Sequence, residues 1–250
     1  MRFLATLGKE LRYQLRSFRL LSVGAVLILL GLLSPLIAKF TPHFLELLPN
    51  GKAMSSLFPT PTAQDAIAQY VKNISQIGLV LVVLLTMGAV ANEKDKGTAA
   101  MLLCKPLPRA TFILAKFLSL AAVFAVSVVL AAVACAYYTT LLFGPLRLPA
   151  WAAANGLIVL YFVLYEAIAL FFSTVGTQVV AGGLSFAVIA VFGVLGTLPV
   201  LGEYFPAQLL RLSVSAYAGS IAGWQSIPIG AAIVVAATAA AILVFRRQEL

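Results

Sequence analysis

The sequence predicts an all-α integral membrane protein with six transmembrane helices, an N-terminal interfacial amphipathic helix and both termini in the cytoplasm. Of its 250 residues 62% are hydrophobic and 10% charged, whereas a soluble domain is about a quarter charged. Charge is absent from the intervals 20–38, 73–92, 117–146, 148–165, 167–202 and 212–245, and a helix needs roughly 20 apolar residues to cross a hydrocarbon core about 30 Å thick. Basic residues gather on alternate connections, which sets the orientation. The fourth and fifth intervals are read together across Glu166.

Spans are expected near 20–38, 74–92, 117–142, 153–172, 179–201 and 227–245. Their length without polar alternation does not fit the strands of a lumen-lined barrel. The first apolar run starts after 19 residues, reaches full spanning length and is followed by Lys39-Phe40-Thr41-Pro42 rather than a small-x-small site, so it is expected to stay uncleaved. With a cytoplasmic N-terminus, twelve of the 17 lysines and arginines fall inside, leaving Lys39, Lys52, Lys72, Arg147 and Arg211 outside. The positive-inside rule selects this orientation. The net charge of +9 is then an orientation signal with some attraction for anionic lipid, and nucleic acid is not expected as a partner.

Before the first span, Leu4, Leu7, Leu11, Leu15 and Phe18 fall within about 80° of one another at 100° per residue. Lys9, Arg12, Arg16 and Arg19 occupy another arc. This pattern predicts a helix lying in the cytoplasmic interface; the competing reading is a plain extension of the first span. The outer connection that follows contains Pro42, Pro49, Pro59 and Pro61, expected to break any long helix, and 62–76 is expected to form a short amphipathic helix. It is too small for an independent catalytic domain.

The last outer segment, GEYFPAQLLRLSVSAYAGSIAGW, is weakly apolar, and two readings stand for it: a dip back into the membrane within protein surroundings, or a surface loop. Ala232, Ala236 and Ala240 in the last span are spaced for close helix contact. Gly182, Gly183, Gly193, Gly196 and Pro199 make the fifth span easier to bend.

Chemistry is sparse. A phosphate loop would read GxxxxGK[ST], and Gly8-Lys9-Glu10 and Gly51-Lys52-Ala53 do not match it, so the chain is not expected to be an ATPase or another enzyme by itself. Cys104 and Cys135 suggest neither a disulfide framework nor a ligand pair, and His43 is the single histidine. No catalytic, cofactor-binding or metal site is predicted. Glu166, in YFVLYEAIALFF, lies about seven residues, roughly 10 Å, from the cytoplasmic end of its helix. An intramembrane acid lines a pathway or relays protons by default; the alternative is a carboxyl bonded to a neighbouring helix that fixes packing.

The segment NEKDKGTAAMLLCKPLPRATFILAK, from Asn92 to Lys116, follows the second span. Positive-inside bias needs no Glu93 or Asp95, so the mixed charge suggests a docking surface. The run Glu93-Lys94-Asp95-Lys96-Gly97-Thr98, the pair Leu102-Leu103, Pro106-Leu107-Pro108-Arg109 and Lys116, with GKELRYQLRS at the start and FRRQEL at the end, resemble the ABC-2-type transporter permeases over essentially the whole chain. The flavour is nearest to small permeases grouped with multicopper-enzyme maturation and sodium or drug export.

That resemblance implies a membrane-spanning exporter subunit in a bacterial or archaeal cell membrane. Two permease copies, identical or related, would form the pathway along the second and fifth spans. A separate cytoplasmic ATP-binding cassette subunit would hold ATP and Mg and dock on a coupling loop at 92–109, through Glu93, Lys94, Asp95, Lys96, Gly97, Lys105 and Arg109. The runner-up is a multi-pass protein outside this family: an ion-coupled carrier, a channel or an assembly scaffold. A carrier should show repeated halves and discontinuous polar sites, whereas the sequence has Glu166 and no internal repeat.

Overall fold

A computed structural model describes residues 2–46, 60–98, 108–198, 202–220 and 223–248. The elements are α1 (Arg2–Arg16), α2 (Arg19–Glu46), α3 (Ala63–Thr86), α4 (Ala91–Asp95), α5 (Arg109–Phe143), α6 (Leu148–Val175), α7 (Gln178–Leu195), a 3-10 turn at Gly202–Tyr204, α8 (Ala207–Ala218) and α9 (Ser226–Arg247). The protein is all-α, with no strand among the described residues, and six of its helices are long and apolar enough to span a bilayer.

The helices overrun the apolar windows at most ends, because hydropathy marks the lipid-facing stretch and not the hydrogen-bonded cylinder. The second span begins at Ala63 rather than near 74. Thr62 and Asp65 cap it reciprocally, the Thr62 N–H donating to Asp65 Oδ2 at 2.9 Å, so the amphipathic helix expected at 62–76 is the first part of this span. The third span starts at Arg109, and its 35 residues give about 52 Å, well beyond the hydrocarbon core. The fifth ends at Leu195 with Gly196 as its cap, short of the expected 201.

Pro42 does not break a helix as expected: Pro35 and Pro42 both lie inside α2. Each is preceded by a hydroxyl residue that donates to its own i−4 carbonyl, Ser34 to Leu30 O and Thr41 to Ile37 O, both at 2.6 Å. These bonds add local hydrogen bonding next to the points where proline removes a donor. Pro49, Pro59, Cys104 and Pro199 lie outside the described residues.

α6 is the central helix, the most buried of the six spans, and α7 and α9 are the most exposed. Tyr70, Ile74, Phe124, Ile158 and Phe162 are fully buried where α3, α5 and α6 meet, with Phe124 and Phe162 edge to face at 6.1 Å. Small residues permit the closest approaches: a methyl at Gly31 would meet Ala131 O of α5 at 2.5 Å, and one at Gly78 would overlap the Phe162 ring. Ala232 and Ala236, expected at a helix contact, are exposed on α9.

The described part of the segment between the fifth and last spans, residues 202–220, is helical rather than irregular. After the 3-10 turn, α8 buries Leu209, Leu212, Ser213 and Tyr217 and packs mainly on α6. Arg147, just before α6, donates to Tyr217 O and stacks over the Tyr217 ring at 5.3 Å. Gly219, at φ 96, supplies the left-handed residue that closes α8.

α1 is a separate helix and not an extension of α2, because the chain breaks at Ser17 and Phe18, the latter at φ 57. Leu4, Leu15 and Phe18 face outward, as a helix in the membrane interface presents them. The opposite flank turns Glu10 and Gln14 into the protein against α5.

Candidate functional site

The polar side chains converge at one end of the bundle, where α1, α4, the start of α5 and the finish of α6 and α9 meet. The local cause is a break in the second span. α3 ends at Thr86, the backbone loosens through 87–90, and α4 resumes for one turn. Such a break frees amide hydrogens that apolar surroundings cannot satisfy. Ser173 on α6 answers it: the N–H groups of Val90 and Ala91 both donate to its Oγ, each at 3.1 Å, and Ser173 is fully buried.

A second tie runs one residue further on. Lys94 Nζ donates to Thr174 O at 2.8 Å, and Gln248 Nε2, beyond the end of α9, donates to the same carbonyl at 2.8 Å. Thr174 lies in the final turn of α6, where carbonyls lack helical partners, and these donors supply one. Arg109 plays the same part for α9, its Nη1 donating to Phe245 O at 3.2 Å and to Arg246 O and Gln248 O at 2.8 Å. Below it Phe112 and Phe245 stack at 5.2 Å.

The third tie is ionic. Lys116 Nζ lies 2.6 Å from Glu93 Oε1 and 3.5 Å from Glu10 Oε2, over the Phe112 ring at 5.0 Å. Lys116 and Glu10 are almost fully buried, Glu93 about a quarter exposed. Buried charges persist when paired and hydrogen-bonded, and here one ammonium joins α1, α4 and α5.

The expected docking residues therefore divide. Glu93, Lys94 and Arg109 bond within the chain, while Asp95, Lys96 and Gly97 are exposed, with Gly97 at φ 68 turning the chain out of α4. Lys105 and the stretch 99–107 lie outside the described residues. Sequence reasoning assigned no role to Ser173, Thr174, Gln248, Glu10 or Gln14. Glu10 and Gln14 carried a weak signal, since they flank the leucine stripe of α1 on the side away from its basic arc.

Glu166 is fully buried on α6. Neither carboxyl oxygen has a hydrogen-bond partner among the described residues, and the Ala121 backbone on α5 is the polar group that faces it.

Residues 4–250 match the model of the ABC-2 family transporter proteins. The chain is also similar to an uncharacterized transmembrane protein of Bacillus subtilis (strain 168), YxlG, at 26% identity over 214 residues, covering 83% of this chain and 82% of that protein. With six candidate spans and a family match over nearly its whole length, this multi-pass membrane protein belongs to the ABC-2 transporter family, whose members are membrane permease components of ABC transporters.

Proposed function

We propose that this chain forms the substrate pathway of an exporter together with a second permease copy, and that a separate cytoplasmic ATP-binding cassette subunit, holding ATP and Mg, drives it. The observation that carries the reading is the mounting of α4. Its last residue, Asp95, and the following Lys96 to Thr98 are exposed, while its inner side is fixed to α6 by Ser173 and Thr174 and to α5 and α1 by Lys116. A partner can bias the two conformations of a bundle only by contacting something that differs between them. A short helix bonded to three others is such a lever.

The remaining features fit the same arrangement. α7 leaves Val179, Val180, Val191 and Val194 exposed, a face available to the second copy or to lipid. The basic residues of α1, α4 and the end of α9 share one end, which the positive-inside rule puts in the cytoplasm of a bacterial or archaeal cell membrane.

The test is reconstitution of the permease with an ATP-binding cassette subunit from the same organism. Reversing the exposed pair with Asp95→Lys and Lys96→Glu should weaken the complex and its ATPase stimulation by roughly five- to tenfold, a scale set by charges at an interface rim. Unchanged binding and turnover would reject α4 as the receiving surface.

A further inference from the structure

We propose that the cavity between α1 and the α4 end of the bundle binds an aminophospholipid headgroup, a phosphate ester carrying a primary ammonium. The cavity holds about 580 Å³, ample for such a group. Its walls come from α1, the break between α3 and α4, and α5.

Two acceptors on these walls have no donor among the described residues. Gln14 Oε1 and Glu93 Oε2 are buried and without a hydrogen-bond partner among the described residues, and Gln14 is only 3% exposed. A buried acceptor left without a donor is unfavourable. Lys116 does not relieve them, since its ammonium is committed to Glu93 Oε1 and Glu10 Oε2. A ligand that satisfies them brings hydrogen-bond donors of its own, and an ammonium also answers the negative charge of Glu93.

The charge balance restricts it further. Lys9, Arg19, Lys96 and Lys116 line the cavity against Glu10 and Glu93, a surplus of two positive charges. A simple cation would meet that surplus, and a simple anion would leave the acceptors bare. A zwitterion satisfies both, with its ammonium on Gln14 and Glu93 and its phosphate toward Lys9, Arg19 and Lys96. Arg19 is held at the wall by stacking over Tyr13 at 5.1 Å.

A lipid source is favoured by the neighbours in sequence. Next to the lining residues Gln14 and Arg19 stand Leu15 and Phe18, both exposed, with Leu21 exposed on the following turn. They offer acyl chains an apolar surface at the depth of an interfacial helix.

The experiment is native mass spectrometry of the full-length, delipidated chain against equal amounts of phosphatidylethanolamine, phosphatidylserine, phosphatidylcholine and phosphatidylglycerol, with soluble phosphoethanolamine as a further arm. Phosphatidylethanolamine or phosphatidylserine should be retained about tenfold over the other two lipids, the scale of one hydrogen bond to a charged group. The pair of aminolipids decides whether an added carboxylate is accepted. Gln14→Leu should bring the ratio of phosphatidylethanolamine to phosphatidylcholine toward one, and Gln14→Glu, which keeps the acceptor, should preserve it. Ratios are read within each variant, so lowered stability does not imitate the effect; where Gln14→Leu is not recovered folded, Arg19→Gln should lower retention of both aminolipids. Equal retention of phosphatidylcholine or phosphatidylglycerol would overturn the assignment, as would soluble phosphoethanolamine binding as tightly as the lipid, or capture of a partner protein's basic side chain in place of lipid.

Discussion

Lys116 lies within 2.6 Å of Glu93 and 3.5 Å of Glu10, three residues from three different helices. Removing the lysine leaves two acids without their shared cation. Lys116→Met should destabilise the permease by about 3 kcal/mol, the lower end for breaking a buried pair, because Glu93 keeps some contact with water. Adding Glu10→Gln and Glu93→Gln should recover much of that loss. Thermal unfolding in detergent measures both, and full stability in the single variant would show that the cluster contributes little.

Ser173→Ala withdraws the acceptor used by Val90 and Ala91. Each stranded amide costs about 1–3 kcal/mol, but the larger effect should be functional. The variant is expected to bind the ATPase subunit with near-normal affinity while stimulating turnover several-fold less. A parallel fall in both would place Ser173 in folding alone.

Gly31→Ala places a methyl 2.5 Å from Ala131 O. Overpacking of this kind costs about 1–3 kcal/mol. Gly156→Ala, whose added methyl meets nothing within 4 Å, is the matched control and should melt like the parent or slightly higher, since alanine is the better helix former.

Glu166 gives an opposite expectation. Its carboxyl is buried without a hydrogen-bond partner among the described residues, and replacing such a group by an apolar one of similar shape is neutral or stabilising. Glu166→Leu should therefore melt no lower than the parent, while transport in proteoliposomes falls at least several-fold if the acid serves the pathway. Parental transport by Glu166→Gln and Glu166→Leu alike would remove it from the mechanism.

Fold class was legible in the sequence because hydropathy integrates over twenty residues and tolerates local error. Helix ends were less so. Thr62 with Asp65 is a readable cap, yet the apolar window at 74 drew the boundary inward, and Pro42 looked like a stop although its helix runs on to Glu46. The site was half legible. Charge composition exposed the 93–98 cluster and Arg109, but which of those residues turn inward depends on ties such as Lys94 to Thr174 and Arg109 to the end of α9, separated by about 80 and 137 positions. No local pattern carries such pairings. In α1 the leucine stripe marked an outward face, and nothing in a one-dimensional moment distinguishes the flank of Glu10 and Gln14 from water-facing surface.

The two amides of the broken second span converge on a single atom of Ser173. One shared oxygen sets how far the following turn stands from α6 but leaves its tilt comparatively free. The turn is thus pinned to α6 at one point, while Lys94 and, through Glu93, Lys116 hold its other side by bonds of their own.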